Sequence, residues 1–231
     1  MSLYLWIILL SFAGPLLLSF DKKVHFYTYW KSIGVAVLII GFFFLIWDEA
    51  FTRWGVWGFT PKYLLKIYFG HLPLEEVLFF FIVPYNCVFI HEVQKAYFPN
   101  LNLSKLAKGF TVVFLIAALL LAVFNFKNYY TFSATTTSLL LTIYVVVRKF
   151  EWFPRFVLTY LICFVPFFIV NGILTGMFTP EPVVWYSKFH IVGWRIVTIP
   201  MEDLFYNYSL LLPIIWIHEW LKPVFSSEKT K

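Results

Sequence analysis

Charge is what this sequence has least of. Only 13% of its 231 residues are Asp, Glu, Lys or Arg, about half the roughly 25% of ordinary soluble domains. Hydrophobic residues make up 61% and the mean hydropathy is +0.80. A soluble chain of 27.4 kDa could not hide so much apolar surface in one core, which excludes the soluble enzyme folds. Cysteine is scarce too: Cys87 and Cys163 both fall in apolar segments, with no CxxC, and read as buried thiols. There is no GxGxxG, P-loop, HExxH or DDxxD, so neither a nucleotide fold nor an Asp-rich metal site is indicated. The 18 Lys and Arg are scattered between apolar runs rather than gathered in a basic stripe, which argues against a nucleic-acid partner despite the net charge of +6.

What is there is apolar and aromatic, with Phe, Tyr and Trp at 23%, more than anchoring at membrane interfaces requires. At about 18 to 20 apolar residues per span, seven helices are predicted: Leu3 to Phe20, Trp30 to Trp47, Glu76 to Val93, Gly109 to Phe126, Tyr130 to Val147, Phe153 to Asn171 and Leu204 to Leu221. The runs are continuous rather than alternating, which excludes a membrane barrel. The first run lacks a basic leading region and a small-x-small cleavage signal, and is expected to be retained as a helix. Twelve loop Lys and Arg, including Lys229 and Lys231, fall on one side and six on the other. The positive-inside rule then places the carboxyl terminus in the cytoplasm and the amino terminus outside, across a bacterial-type inner or cell membrane. The seventh helix lacks a mid-span Lys for a retinal Schiff base.

A repeat is visible. Pro73-Leu74-Glu75-Glu76 overlies Pro200-Met201-Glu202-Asp203 at a shift of 127 residues, and the same shift carries His91-Glu92 onto His218-Glu219. The predicted fold is therefore an all-α integral membrane protein of two parallel three-helix repeats joined by a linker helix, three plus one plus three. The expected units are 1–100, a connector over 101–128, and 129–231. The connections Asp48 to Leu72 and Gly172 to Ile199 are rich in Trp and Gly. They are expected to lie in the interface or re-enter the membrane and cover a pocket.

Proline followed by acids suits an ordinary helix start. Here the acids are paired in both copies, and each pair opens an apolar span, where ionisable groups are expensive and usually functional. Adjacent carboxylates at a membrane boundary cannot both ionise cheaply, so one of each pair is expected to keep its proton and form an acid and base pair with the other. The helices below offer Phe79 and Phe80, then Tyr206 followed by Asn207, and the aromatic faces among them suit a carbocation. At i, i+4 spacing Glu75 shares a face with Phe79, Glu202 with Tyr206 and Asp203 with Asn207. Asp48 is a further candidate, with Asn171 as its expected counterpart. His91 lies 16 residues beyond Glu75, roughly 24 Å along a helix. His91 and His218 are thus expected at the opposite membrane face, in a structural role.

PLEEVLFFF followed by Pro84, and IPMEDLFYNYSLLL ending in His218-Glu219, resemble the two units of the small membrane lycopene cyclases: the heterodimeric bacterial type, the fused archaeal form and the cyclase half of the fungal bifunctional protein. With both units in one chain, the sequence resembles the fused form. The resemblance implies a lycopene β-cyclase, an isomerase that protonates a linear ψ end group and closes a β-ionone ring through a cation. It implies proton-transfer roles for Glu75, Glu76, Glu202 and Asp203; from the helix lining, Asp48, Phe79, Phe80, Asn171, Tyr206 and Asn207 are the expected substrate contacts, and the redox-neutral chemistry needs no cofactor, with no metal expected. The partners implied are lycopene or a related linear carotenoid, arriving laterally from the lipid membrane. Two alternatives stand beside this reading, a proton-coupled small-solute carrier with three-plus-one-plus-three repeats and a carotenoid end-group hydratase of the same family.

Overall fold

The computed structural model describes residues 2–227; Lys229 and Lys231, counted in the charge balance, lie outside the described residues. Seven α-helices follow in order: α1 (Leu3–Leu18), α2 (Trp30–Arg53), α3 (Leu74–Tyr97), α4 (Ser104–Phe124), α5 (Tyr129–Val147), α6 (Phe153–Leu174) and α7 (Glu202–Ser227). Five stretches, Phe26–Arg53, α3, α4, α5 and α6, are long and apolar enough to cross a membrane. α1 is apolar but has 16 residues, about 24 Å of helix. α7 is longer, and starts on Glu202 and Asp203.

The connections are folded, as their apolar character requires. After α2 come β1 (Trp57–Phe59) and the hairpin of β2 (Tyr68–Phe69) with β3 (Leu72–Pro73). After α6 come β4 (Val184–Tyr186) and the hairpin of β5 (Arg195–Ile196) with β6 (Ile199–Pro200). Each strand of the second set lies 127 residues after its counterpart. β1 and β4 pair antiparallel, and Gly58 sits opposite Trp185, its own equivalent at that shift. The two copies therefore meet around a local twofold relation. A side chain at Gly58 would run into the Trp185 indole, so glycine permits this meeting.

The same shift recurs in backbone detail. Leu74 N–H donates to the Ile67 carbonyl at 2.8 Å and Met201 N–H to the Trp194 carbonyl at 3.0 Å. Positive φ occurs at Lys66 and Gly70 in one copy and at Gly193 and Val197 in the other, again 127 residues apart. The duplication has no net insertion from Phe26 and Phe153 onward. It places Thr175, not Asn171, in register with Asp48, and Asn171 in register with Phe44. Within that constant register α6 stops at Leu174, whereas α2 continues to Arg53.

Proline and glycine shape the helix contacts. Pro15 has no N–H for the Ser11 carbonyl, and Asn86 Nδ2 on α3 fills that place at 3.1 Å. Gly41 brings α2 against the Phe80 carbonyl, a group freed by Pro84 one turn later. α4 packs on α5 and α6, while α7 packs centrally against α2 and α5, with Leu210, Leu211, Leu212 and Ile214 buried along it.

Candidate active site

The acidic pairs open α3 and α7 just after the hairpins, and the helical turn splits each pair. Glu75 and Glu202 are both fully buried (0% exposed) and turn back to the connections. Glu75 Oε1 accepts from the Leu65 N–H at 2.6 Å and from Ser2 Oγ at 2.5 Å. Glu202 Oε1 accepts from the Val192 N–H at 2.7 Å and from Thr131 Oγ1 at 2.6 Å. Leu65 and Val192 are again equivalent at the 127-residue shift, so this is one device used twice. A buried carboxylate satisfies a loop amide and ties the first helix of its unit to the third.

Glu76 and Asp203, the second acid of each pair, converge with Asp48 on one buried cavity. The cavity lies between the two units and is lined largely by equivalent positions: Asp48 and Thr175, Trp57 and Val184, Phe59 and Tyr186, Glu76 and Asp203, Phe79 and Tyr206. β1 and β4 cover it, as expected of the Trp-rich connections. Of the residues predicted from the sequence, it brings together Glu76, Asp203, Asp48, Phe79, Asn171, Tyr206 and Asn207. Glu75 and Glu202 are not in its lining. Nor is Phe80, which packs behind it with ring centroids 6.3 Å from Phe44 and 6.5 Å from Tyr206. The i, i+4 pairing of Glu75 with Phe79 and of Glu202 with Tyr206 is therefore corrected: the cavity face joins Glu76 to Phe79 and Asp203 to Tyr206 at i, i+3, while Asp203 and Asn207 share it as expected.

Three tyrosines escaped the sequence reading. Tyr4 donates to Glu76 Oε2 at 2.5 Å, Tyr130 to Asp203 Oδ1 at 2.6 Å and Tyr186 to Asp203 Oδ2 at 2.9 Å. Burial, then the neighbouring Asp203 charge, holds the Tyr186 phenol well above its ordinary pKa, so it stays a donor at neutral pH. The two units are unequal at this point. Phe59 occupies the position equivalent to Tyr186 and has no hydroxyl, so Asp203 accepts from two phenols and Glu76 from one. Asp48 Oδ2 and the Tyr206 hydroxyl are buried with no protein partner. Tyr206 is ringed by Phe44, Trp47, Trp57 and Tyr130, with centroids 5.1 to 5.9 Å away. The site thus combines several carboxyls with π faces, a setting for moving protons and shielding a cation.

The family model for lycopene cyclase matches the chain over residues 1–94 and again over 127–221. The chain belongs to the lycopene cyclase family. Its two matches fall on the two copies of the structural plan and leave out the whole of α4, a tandem of lycopene cyclase units in one chain. Membership makes this lycopene cyclase family protein a carotenoid cyclase of the membrane, with a linear carotenoid as the substrate class. No curated protein and no solved structure matches the chain.

The other end of the bundle carries the second duplicated motif, and there the pairs are crossed. His91 meets Glu219 Oε1 at 2.9 Å and Thr159 Oγ1 at 2.7 Å; His218 meets Glu92 Oε1 at 3.2 Å and Ser32 Oγ at 3.0 Å. Lys222 bonds Glu92 at 2.5 Å and Lys95 bonds Glu219. His91, Glu92 and Glu219 are close enough together to ligate a metal ion, but each carboxylate already holds a lysine and a histidine. None of these residues lines the acidic cavity. Cys87 and Cys163 are free and buried.

Proposed function

We propose that this protein is a lycopene β-cyclase that closes the ψ end group of lycopene, or of a related linear carotenoid, into a β-ionone ring. The observation that carries the proposal is the convergence of Glu76, Asp48 and Asp203 on one aromatic-walled cavity shared by both units. A carboxyl gives its proton to the end-group alkene and leaves a tertiary cation. The π pair of a neighbouring alkene forms the new carbon–carbon bond, and the ring cation loses a proton to a carboxylate. Atoms and electrons balance without an oxidant or reductant, so the net reaction is an isomerisation.

The unequal hydrogen bonding supports unequal roles. Asp203, with a phenol on each oxygen, has one more donor favouring its anion than Glu76 has, and suits the base and the counter-charge to the cation. Glu76 has one phenol and Asp48 beside it has an unpartnered oxygen. Two carboxyls in one buried pocket favour sharing a proton, so this pair suits the acid. Glu75 and Glu202 are positioning residues that hold the connections over the cavity. The amino terminus is read as outside and the carboxyl terminus as cytoplasmic, which puts the acidic cavity toward the outer face.

Pigment analysis of lycopene-accumulating bacterial cells expressing this chain alone tests the reading. Products of unchanged mass with shifted absorption and retention are expected, and Glu76→Gln or Asp203→Asn should abolish them while protein still inserts. A mass gain of one water would indicate the hydratase. Unchanged lycopene with confirmed insertion would reject cyclisation, and uptake of a soluble substrate by proteoliposomes would then favour the carrier.

A further inference from the structure

A forty-carbon chain cannot be held by the acidic cavity alone, whose free volume is about 60 Å³. Beside it lies a second, larger space of about 330 Å³ with almost wholly apolar walls. The two share Phe79, Phe167, Asn171 and Asn207, so they adjoin across these side chains. The larger space runs between α1, α3 and α6, past Val83 and Ile90, and reaches Ile169, which is 59% exposed on the outer surface of α6. Pro15 on α1 and Pro166 on α6 both line it, and neither proline carries an N–H.

The equivalent course on the other side, between α5, α7 and α2, is filled. There Phe44 and Phe80, both buried, stand where the open side has Asn171 and Asn207, and Leu210 and Ile214 stand where it has Val83 and Cys87. The duplication would allow two grooves, and the side chains leave one.

We propose that the α1–α3–α6 groove binds the polyene chain of the substrate, with its mouth between α1 and α6 open to the bilayer and its inner end at Glu76 and Asp203. This rests on the cyclase reading and adds where the acyclic isoprenoid lies and from which side it arrives. A linear hydrocarbon fits a long apolar groove that ends at acids; a polar solute does not. The mouth on a lipid-facing helix suits a ligand already dissolved in the bilayer.

The test places tryptophan at two exposed positions of α6. Ile169→Trp obstructs the mouth, whereas Val165→Trp, 65% exposed and outside the groove lining, serves as the control; neither disturbs a buried core. In proteoliposomes with lycopene, Ile169→Trp should raise KM about tenfold with kcat little changed, while Val165→Trp stays within about twofold of wild type. Lycopene retention by the purified protein is measured separately in a Glu76→Gln background. Ile169→Trp should lower it about tenfold and Val165→Trp should not. Equal retention and equal KM for the two tryptophan variants would overturn the groove assignment. Retention that depends on residue 169, in a wild type that forms no ring, would uphold the groove and reject the cyclase reading.

Discussion

At the scale of single residues, the site separates carboxyls that hold the protein together from carboxyls that face the cavity. Glu75 keeps a loop amide and a hydroxyl satisfied through Oε1 alone, and a glutamine can accept both bonds with its amide oxygen. Glu75→Gln should therefore retain at least about a tenth of the wild-type cyclisation rate, whereas Glu76→Gln should fall below detection; pigment ratios at matched expression compare them. Equal loss in both would put Glu75 in the proton transfer as well. Removing one phenol from Asp203 deletes a bond to a charged acceptor, a change of about 1.5 kcal/mol or more, and roughly tenfold in rate if it acts on the transition state. Tyr130→Phe and Tyr186→Phe should each show that loss in kcat, and Phe59→Tyr, adding the missing hydroxyl beside Glu76, should slow proton donation. The sequence made the acid pairs legible because they repeat at a constant shift. It hid the tyrosines because Tyr4 and Tyr130 are 126 residues apart, one off that shift, and because Tyr186 has phenylalanine as its counterpart.

At the scale of elements, hydrophobic runs made the helices readable, while β1 to β6 have only two or three residues each, too few for alternation to register. Their turns carry a recoverable signal in glycine, but it is divided between the copies. Gly70 has φ +64° in the first hairpin, and Val197 has φ +60° at the equivalent turn of the second. A β-branched residue is strained there, by about 1 to 2 kcal/mol. Val197 is largely exposed, so its side chain offers little packing in return. Val197→Gly should raise the thermal midpoint of the detergent-solubilised protein by a few degrees, corresponding to about 1 kcal/mol, with cyclisation unchanged. The reverse change in the first hairpin is not neutral. A side chain at Gly70 would collide with the Glu49 carboxylate, which bonds the His71 N–H at 2.8 Å, so Gly70→Val should lower the midpoint. A lower midpoint for Val197→Gly as well would show that these turns are not the strained elements.

At the scale of the whole molecule, the two copies are joined at both ends and share what lies between. β1 and β4 pair over the cavity, and the crossed His91–Glu219 and His218–Glu92 pairs close the opposite end. The sequence showed both motifs and placed the histidines at the far face, but the crossing is a three-dimensional fact that spacing along one chain does not carry. Glu219→Ala would remove the partner shared by Lys95 and buried His91, leaving Lys95 with Glu92 and His91 with Thr159, and should cost about 1 to 2 kcal/mol, read as a lower thermal midpoint with cyclisation by the folded fraction retained. Sharing also fixes the count of reaction centres. Glu76 and Asp203 come from equivalent positions yet face one cavity, and the proposed groove has no open counterpart on the other side, so on the cyclase reading duplication of the chain has not duplicated the site. A linear carotenoid has two ends, and only one can reach the acids at a time. To close the second, the one-ring product must withdraw into the bilayer, turn end for end and return, competing with lycopene at each return. With lycopene in excess, the one-ring compound should accumulate first, and any two-ring product should follow after a lag that lengthens as lycopene is raised. A pulse of deuterated lycopene followed by an unlabelled excess should then trap the label in the one-ring pool. Labelled two-ring product formed without a lag, and undiminished by the chase, would mean that both ends are closed in one encounter, which the single shared cavity does not allow.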